Sequence, residues 1–177
     1  MQGDWKKLSS KYVYENPWIK VREDKVIKPD GKEGIYGVVE QPCGVCVIPV
    51  DDSGRIWMIR QYRYIFDDYH WDLVCGDVDE GELVENAGKR ELTEELGAEA
   101  KTWKKIGTFR PSAGRMQHEA EVFVAKDLKL VKSENEPDVI DKKAFSLEDI
   151  HQMIKDQEII SAYAISALYL FEIDMKI

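Results

Sequence analysis

The segment from Gly76 to Ala98 constrains this chain more than any other, because it crowds acidic side chains between two glycines. Val84 to Leu96 reads as a helix, and Gly97 suits the left-handed position that closes one. On such a helix Glu91 and Glu94 are an i, i+3 pair and Glu91 and Glu95 an i, i+4 pair, so the three carboxylates share a face. Like charges at that spacing repel and destabilise an isolated helix. Keeping them together calls for a compensating cation, and an all-oxygen donor set suits a hard ion such as Mg2+ or Mn2+.

Strand signals surround this helix. Ile19 to Ile27 and Ile35 to Glu40 flank a Pro29-Asp30-Gly31 turn and predict a small antiparallel sheet. Val45 to Val50 and Ile56 to Tyr62 flank Asp51-Asp52-Ser53-Gly54 and predict a hairpin. Trp71 to Val74 reads as a short strand leading to Gly76, and Trp103 to Phe109 and Glu121 to Ala125 as strands separated by a Pro111 to Glu119 loop. Val139 to Phe145 is extended. Ser146 with Asp149 predicts a capped helix to about Gln157. Ser161 predicts the cap of a last helix through Phe171, with Ala164, Ile165, Leu168 and Phe171 as its buried stripe. Strands mixed with two or three helices point to an α/β or α+β fold. The expected organisation is an N-terminal β-sheet region over residues 1–42 and a main domain over residues 43–177.

Charge narrows the partners. A net charge of -9 argues against a nucleic-acid or anionic-membrane surface, which would need clustered Lys and Arg. No apolar run approaches the length of a membrane span, and Met1 to Ser10 lacks the apolar stretch of a secretory signal, so a cytoplasmic protein is expected. Three cysteines do not make a disulfide framework. Cys43 and Cys46 form a Cys-x-x-Cys, but they open a strand-like run rather than a helix and lack further zinc ligands, so they read as structural thiols. The isolated His70, His118 and His151 show no paired metal spacing.

The set Gly76, Glu82, Arg90-Glu91, Leu92, Glu94-Glu95, Gly97 and Ala98 resembles the Nudix box at every fixed position. The resemblance implies an α/β/α sandwich in which the box forms a loop-helix-loop that binds divalent metal against a diphosphate. It implies Mg2+, with Mn2+ as a substitute, held by Glu91, Glu94, Glu95 and the backbone carbonyl of Cys75. Arg90 and Glu82 become the ion pair that orients the helix, and Gly76 the turn where a Cβ would clash beside the substrate.

The rest of the chain resembles the ADP-ribose pyrophosphatase branch through its N-terminal sheet, Arg60-Gln61-Tyr62-Arg63, Trp71-Asp72-Leu73 and two closing helices. In that branch the general base follows the box on a later loop, which implies Glu134 as base and Glu136 as an added metal ligand. Glu119 is the rival base, and Glu94 a further one. By the same likeness Arg63 holds a phosphate or ribose and Trp18 stacks on a base across a homodimer interface. Val74-Cys75 stands where that branch usually has Pro-Ala, so GDP- or UDP-hexoses fit as well as ADP-ribose. The expected reaction is hydrolysis of a nucleoside diphosphate sugar to a nucleoside monophosphate and a sugar phosphate. A nucleoside triphosphate pyrophosphohydrolase and a non-catalytic nucleotide sensor are the alternatives.

Overall fold

The computed structural model describes residues 4–132 and 137–176. By contact density the chain divides into two units. One holds the described residues up to Pro42 with Arg110–His118, and the other holds Cys43–Phe109 with the described residues from Glu119 onward.

The first unit is a four-stranded sheet in the order β1-β2-β3-β9, built from β1 (Lys6–Glu15), β2 (Lys20–Ile27), β3 (Glu33–Glu40) and a short strand labelled β9, Met116–Gln117. Strand β1 had no clear sequence signal, because all ten of its residues are exposed and none supplies an in-out alternation. The expected loop after Pro111 is likewise interrupted, since β9 pairs in parallel with Val39 and Glu40. One sheet face carries a buried acid: Asp24 accepts hydrogen bonds from Ser10 and Arg22, and Arg22 also pairs with Glu40. The Ser10 hydroxyl, more than any other group, holds the Asp24 carboxyl below the usual carboxylate range.

The second unit holds two sheets. Strands β4 (Gly44–Pro49), β7 (Val74–Asp77), β8 (Ala98–Phe109) and β10 (Ala120–Leu130) form one in the order β7-β4-β10-β8. Strands β5 (Ile56–Arg63), β6 (Asp68–Asp72) and β11 (Val139–Phe145) form the other in the order β11-β5-β6. The hairpin expected at Asp51–Gly54 is corrected here: β4 and β5 belong to different sheets and share only the Val50–Ile56 bridge. All six residues of β4 are buried, and its two edges are taken by β7 and by parallel β10, which leaves no edge for β5. The expected Trp71–Val74 strand also divides, with Leu73 stepping the chain from β6 in one sheet to β7 in the other.

Alternation along the strands builds two cores. Val45 and Val47 of β4, Phe123 and Ala125 of β10 and Ile59 of β5 pack with Ala87 of α1 (Val84–Glu91) and with Leu92 and Leu96 just after it. The intervening Cys46, Ile48, Val122, Val124 and Met58 pack instead with Ile150 and Met153 of α2 (Leu147–Lys155) and with Ala164, Ala167, Leu168 and Phe171 of α3 (Ala162–Asp174). A period of two thus sends successive side chains to helices on opposite faces, which is the α/β/α sandwich. Gly88 lets α1 approach closely, because an added Cβ would lie 3.2 Å from Val45 and 3.3 Å from Trp103. Helix α2 carries the full reciprocal capping box of Ser146 and Asp149. In α3 the buried stripe uses Ala167 rather than the expected Ile165, which is 39% exposed.

Candidate active site

The acidic helix changes pitch where its carboxylates lie. Helix α1 ends at Glu91, and Leu92–Leu96 continues as a single π-helical turn that Gly97 closes at φ 73°. Within this turn the Thr93 hydroxyl donates to the Lys89 carbonyl at 3.0 Å. Neighbouring acids point in different directions here, as successive residues of any helix do. Glu95 is turned inward and buried, whereas the Glu94 side chain stays 44% exposed.

Arg90 gathers the rest. Its Nε and Nη2 donate to the two Glu82 oxygens at 3.3 and 3.1 Å, and Nη2 also donates to the Asp77 carbonyl at 2.9 Å. Its Nη1 donates to Glu91 Oε1 at 2.5 Å and Glu94 Oε2 at 3.2 Å. The hydrogen bonds to Glu82 raise the Arg90 pKa, and the same contact holds the Glu82 carboxyl below its ordinary value. Gly76 meets this cluster directly, because an added Cβ would overlap the Glu91 carboxylate.

Glu95 is held by a different device. Its Oε2 accepts the Cys75 backbone N–H at 3.0 Å and its Oε1 accepts Gln61 Nε2 at 3.3 Å. Burial pushes its carboxyl well above the carboxylate range, and Glu91 and Asp72 push the same way against the Cys75 N–H and Arg63. Crowded, partly buried acids of this kind fit a cation, and their oxygens suit a hard divalent one. Among the described residues no group of three donors already converges as a cage. Arg90 Nη1 engages Glu91 through Oε1 and Glu94 through Oε2.

A cleft of about 490 Å³ opens beside Cys75 and Gly76 and is walled by Arg63, Phe66, His70, Asp72 and Tyr163. Arg63 Nη2 donates to Asp72 Oδ2 at 2.6 Å, and Asp72 also accepts a hydrogen bond from Ser161 and the Leu73 N–H. Burial raises the Asp72 pKa in spite of Arg63. The Cys75 thiol is likewise pushed up by burial and by Cys46, its register partner, whose sulfur lies 2.9 Å away. All three cysteines are free thiols.

The structure therefore brings Cys75, Gly76, Glu82, Arg90, Glu91, Glu94, Glu95 and Arg63 into one neighbourhood. Glu119 is exposed and touches this sheet through its carbonyl, which accepts the Gly44 N–H at 2.8 Å. Trp18 belongs to the first unit, is 68% exposed, and sits on a turn where Asn16 Oδ1 accepts the N–H groups of Trp18 and Ile19. Glu134 and Glu136 lie outside the described residues. Sequence reasoning missed Gln61, Asp72 and Asp138 as site neighbours. Gln61 did carry a signal, since it is a polar residue two positions beyond Ile59 on a buried strand face.

A NUDIX domain model matches residues 41–167, most of the chain. The chain belongs to the Nudix family. A second model, for the N-terminal domain of nucleoside diphosphate sugar hydrolases, matches residues 5–39 of this Nudix hydrolase. It is 30% identical over 173 residues to an ADP-ribose pyrophosphatase of Bacillus subtilis (strain 168), covering 94% of each chain. A methanol dehydrogenase activator of Bacillus methanolicus is 26% identical over 168 residues, covering 92% of this chain and 90% of its own. Among solved structures, an ADP compounds hydrolase matches with a TM-score of 0.85 at 23% identity, over 97% of this chain and 94% of that one, which shows the shared fold. No helix among the described residues is long and apolar enough to cross a membrane.

Proposed function

We propose that this Nudix hydrolase uses Mg2+, or Mn2+ in its place, to cleave ADP-ribose or another nucleoside diphosphate sugar to a nucleoside monophosphate and a sugar phosphate. The observation that carries the reading is that Glu91, held together with Glu94 by Arg90, and buried Glu95 lie against Gly76 and Cys75, two residues of the cleft wall. The likeness to an ADP-ribose pyrophosphatase along nearly the whole chain supports the substrate class. Glu91, Glu94, Glu95 and the Cys75 carbonyl hold the metal, and Glu136 adds a ligand. Bound there, a divalent ion neutralises the diphosphate and lowers the pKa of a water.

The chain's own groups do the rest. Arg90 fixes Glu91 and Glu94 relative to Asp77 and Glu82, so the acids are set before substrate arrives. Glu134 takes a proton from the attacking water, with Glu119 as the alternative base. The water oxygen bonds to one phosphorus while that phosphorus loses its bridging oxygen, and the leaving phosphate carries off the electron pair. Arg63, held by Asp72 in the cleft wall, meets a phosphate or the ribose. Trp18 stacks on the base from the partner copy of a homodimer.

The test is product formation by the purified protein with Mg2+ on ADP-ribose, GDP-mannose, UDP-glucose and nucleoside triphosphates, separated by chromatography. Monophosphate from a sugar substrate is expected. Pyrophosphate from triphosphates alone would replace this reading with that of a triphosphate pyrophosphohydrolase.

A further inference from the structure

We infer that Gln61 is a positioning residue for this reaction, holding the Glu95 carboxylate in its metal-ligating orientation through one amide nitrogen shared with Asp138. The inference rests on the reading of Glu95 as a metal ligand. Gln61 is 7% exposed on β5, the middle strand of its sheet, with ladder partners on both sides in Val139 and His70. Its backbone is therefore fixed by two neighbouring strands. Gln61 Nε2 lies 3.3 Å from Glu95 Oε1 and 3.1 Å from Asp138 Oδ2. An amide nitrogen has two hydrogens, one for each carboxylate. Both partners are acceptors when ionised, so the amide presents nitrogen to them and not oxygen.

The arrangement holds Glu95 at both oxygens, with the Cys75 N–H on Oε2 and Gln61 on Oε1. Neither donor carries charge. Glu91 and Glu94, by contrast, are oriented by a guanidinium that also competes for their negative charge. A neutral donor fixes the direction of Glu95 without itself neutralising it, while Lys142 and Arg63 act on it electrostatically as positive charges. Asp138 engages the second amide hydrogen and so sets the rotation of the Gln61 side chain.

The experiment is calorimetric titration of Mn2+ into the full chain and its Gln61→Met, Glu95→Gln and doubly substituted forms, with thermal melting to verify folding. Gln61→Met is expected to weaken Mn2+ binding by about 10- to 100-fold, the usual cost of losing a partner that orients a ligand. In the Glu95→Gln background the same change is expected to alter affinity within about twofold, since the group it positions has gone. Gln61→Asn keeps the amide but falls one methylene short, and it is expected to show the same loss should the Met form not fold. Unchanged Mn2+ affinity in Gln61→Met, with affinity lost in Glu95→Gln, would overturn the inference and leave the metal site standing. An equal loss in both backgrounds would also overturn it. Unchanged affinity in Glu95→Gln would remove the metal reading itself.

Discussion

Gly76→Ala separates site geometry from stability. Gly76 does not adopt a positive φ, so alanine fits the backbone, and in a strand it favours folding by about 0.5–1 kcal/mol through lost chain entropy. The new Cβ collides with the Glu91 carboxylate, a mobile side-chain end, so Glu91 gives way rather than the strand. Leaving Arg90 Nη1 costs Glu91 a charge-assisted hydrogen bond worth about 1.5–3 kcal/mol. Glu91 is nearly buried, but Arg90 is 31% exposed and keeps Glu82, Glu94 and the Asp77 carbonyl, which places the cost at the lower end. The net destabilisation is about 1 kcal/mol, a fall in Tm of about 2–4 °C for a chain of this size. On the proposed reading Glu91 is a metal ligand, so its displacement costs far more in function, and kcat/KM is expected to fall by about 100-fold or more. Calorimetric melting beside steady-state kinetics across a range of Mg2+ concentration measures both. A variant with wild-type kcat/KM and unchanged metal dependence would refute the reasoning, as would one that does not fold.

Three other outcomes follow from the same contacts. Arg63→Met strands Asp72, which is 2% exposed, and is expected to cost about 2 kcal/mol in denaturant unfolding, less than a fully buried pair because Arg63 is 38% exposed. Gly88→Val drives methyls into Val45 and Trp103 and is expected to cost about 1–3 kcal/mol by the same measurement. Glu95 keeps its proton in the folded state to higher pH than in the unfolded chain, so upward from its ordinary value of 4.5 the native state binds more protons and stability falls as pH rises. Metal-free Glu95→Gln is expected to lose that slope; melting curves taken from about pH 5 to about pH 8 check it.

The site was legible where chemistry demands fixed spacing. The glycines and acids from Gly76 to Gly97 pointed to the helix, its left-handed end and the crowded carboxylates, and all of these occur. The caps at Ser146 and Ser161 were equally readable, because each depends on a side chain within one helical turn. What escaped depends on contacts distant in the chain. Asp51–Gly54 carries every local mark of a hairpin, yet parallel pairing with β10 takes the edge of β4 that β5 would need. The π turn at Leu92–Leu96 left no mark in a residue pattern that reads as one continuous α-helix. Gln61 was visible as a polar residue on an apolar strand face, but its partners come from the box helix and from Asp138, which no local pattern joins.

Turnover of ADP-ribose by wild type and by the single Glu91→Gln, Glu94→Gln and Glu95→Gln proteins, each assayed with Mg2+ and with excess chelator, tests the central claim most directly. The account predicts AMP and ribose phosphate from wild type, no turnover with chelator, and kcat lowered by at least about 100-fold in each variant. Chelator-resistant turnover, or a Glu95→Gln protein as active as wild type, would contradict it.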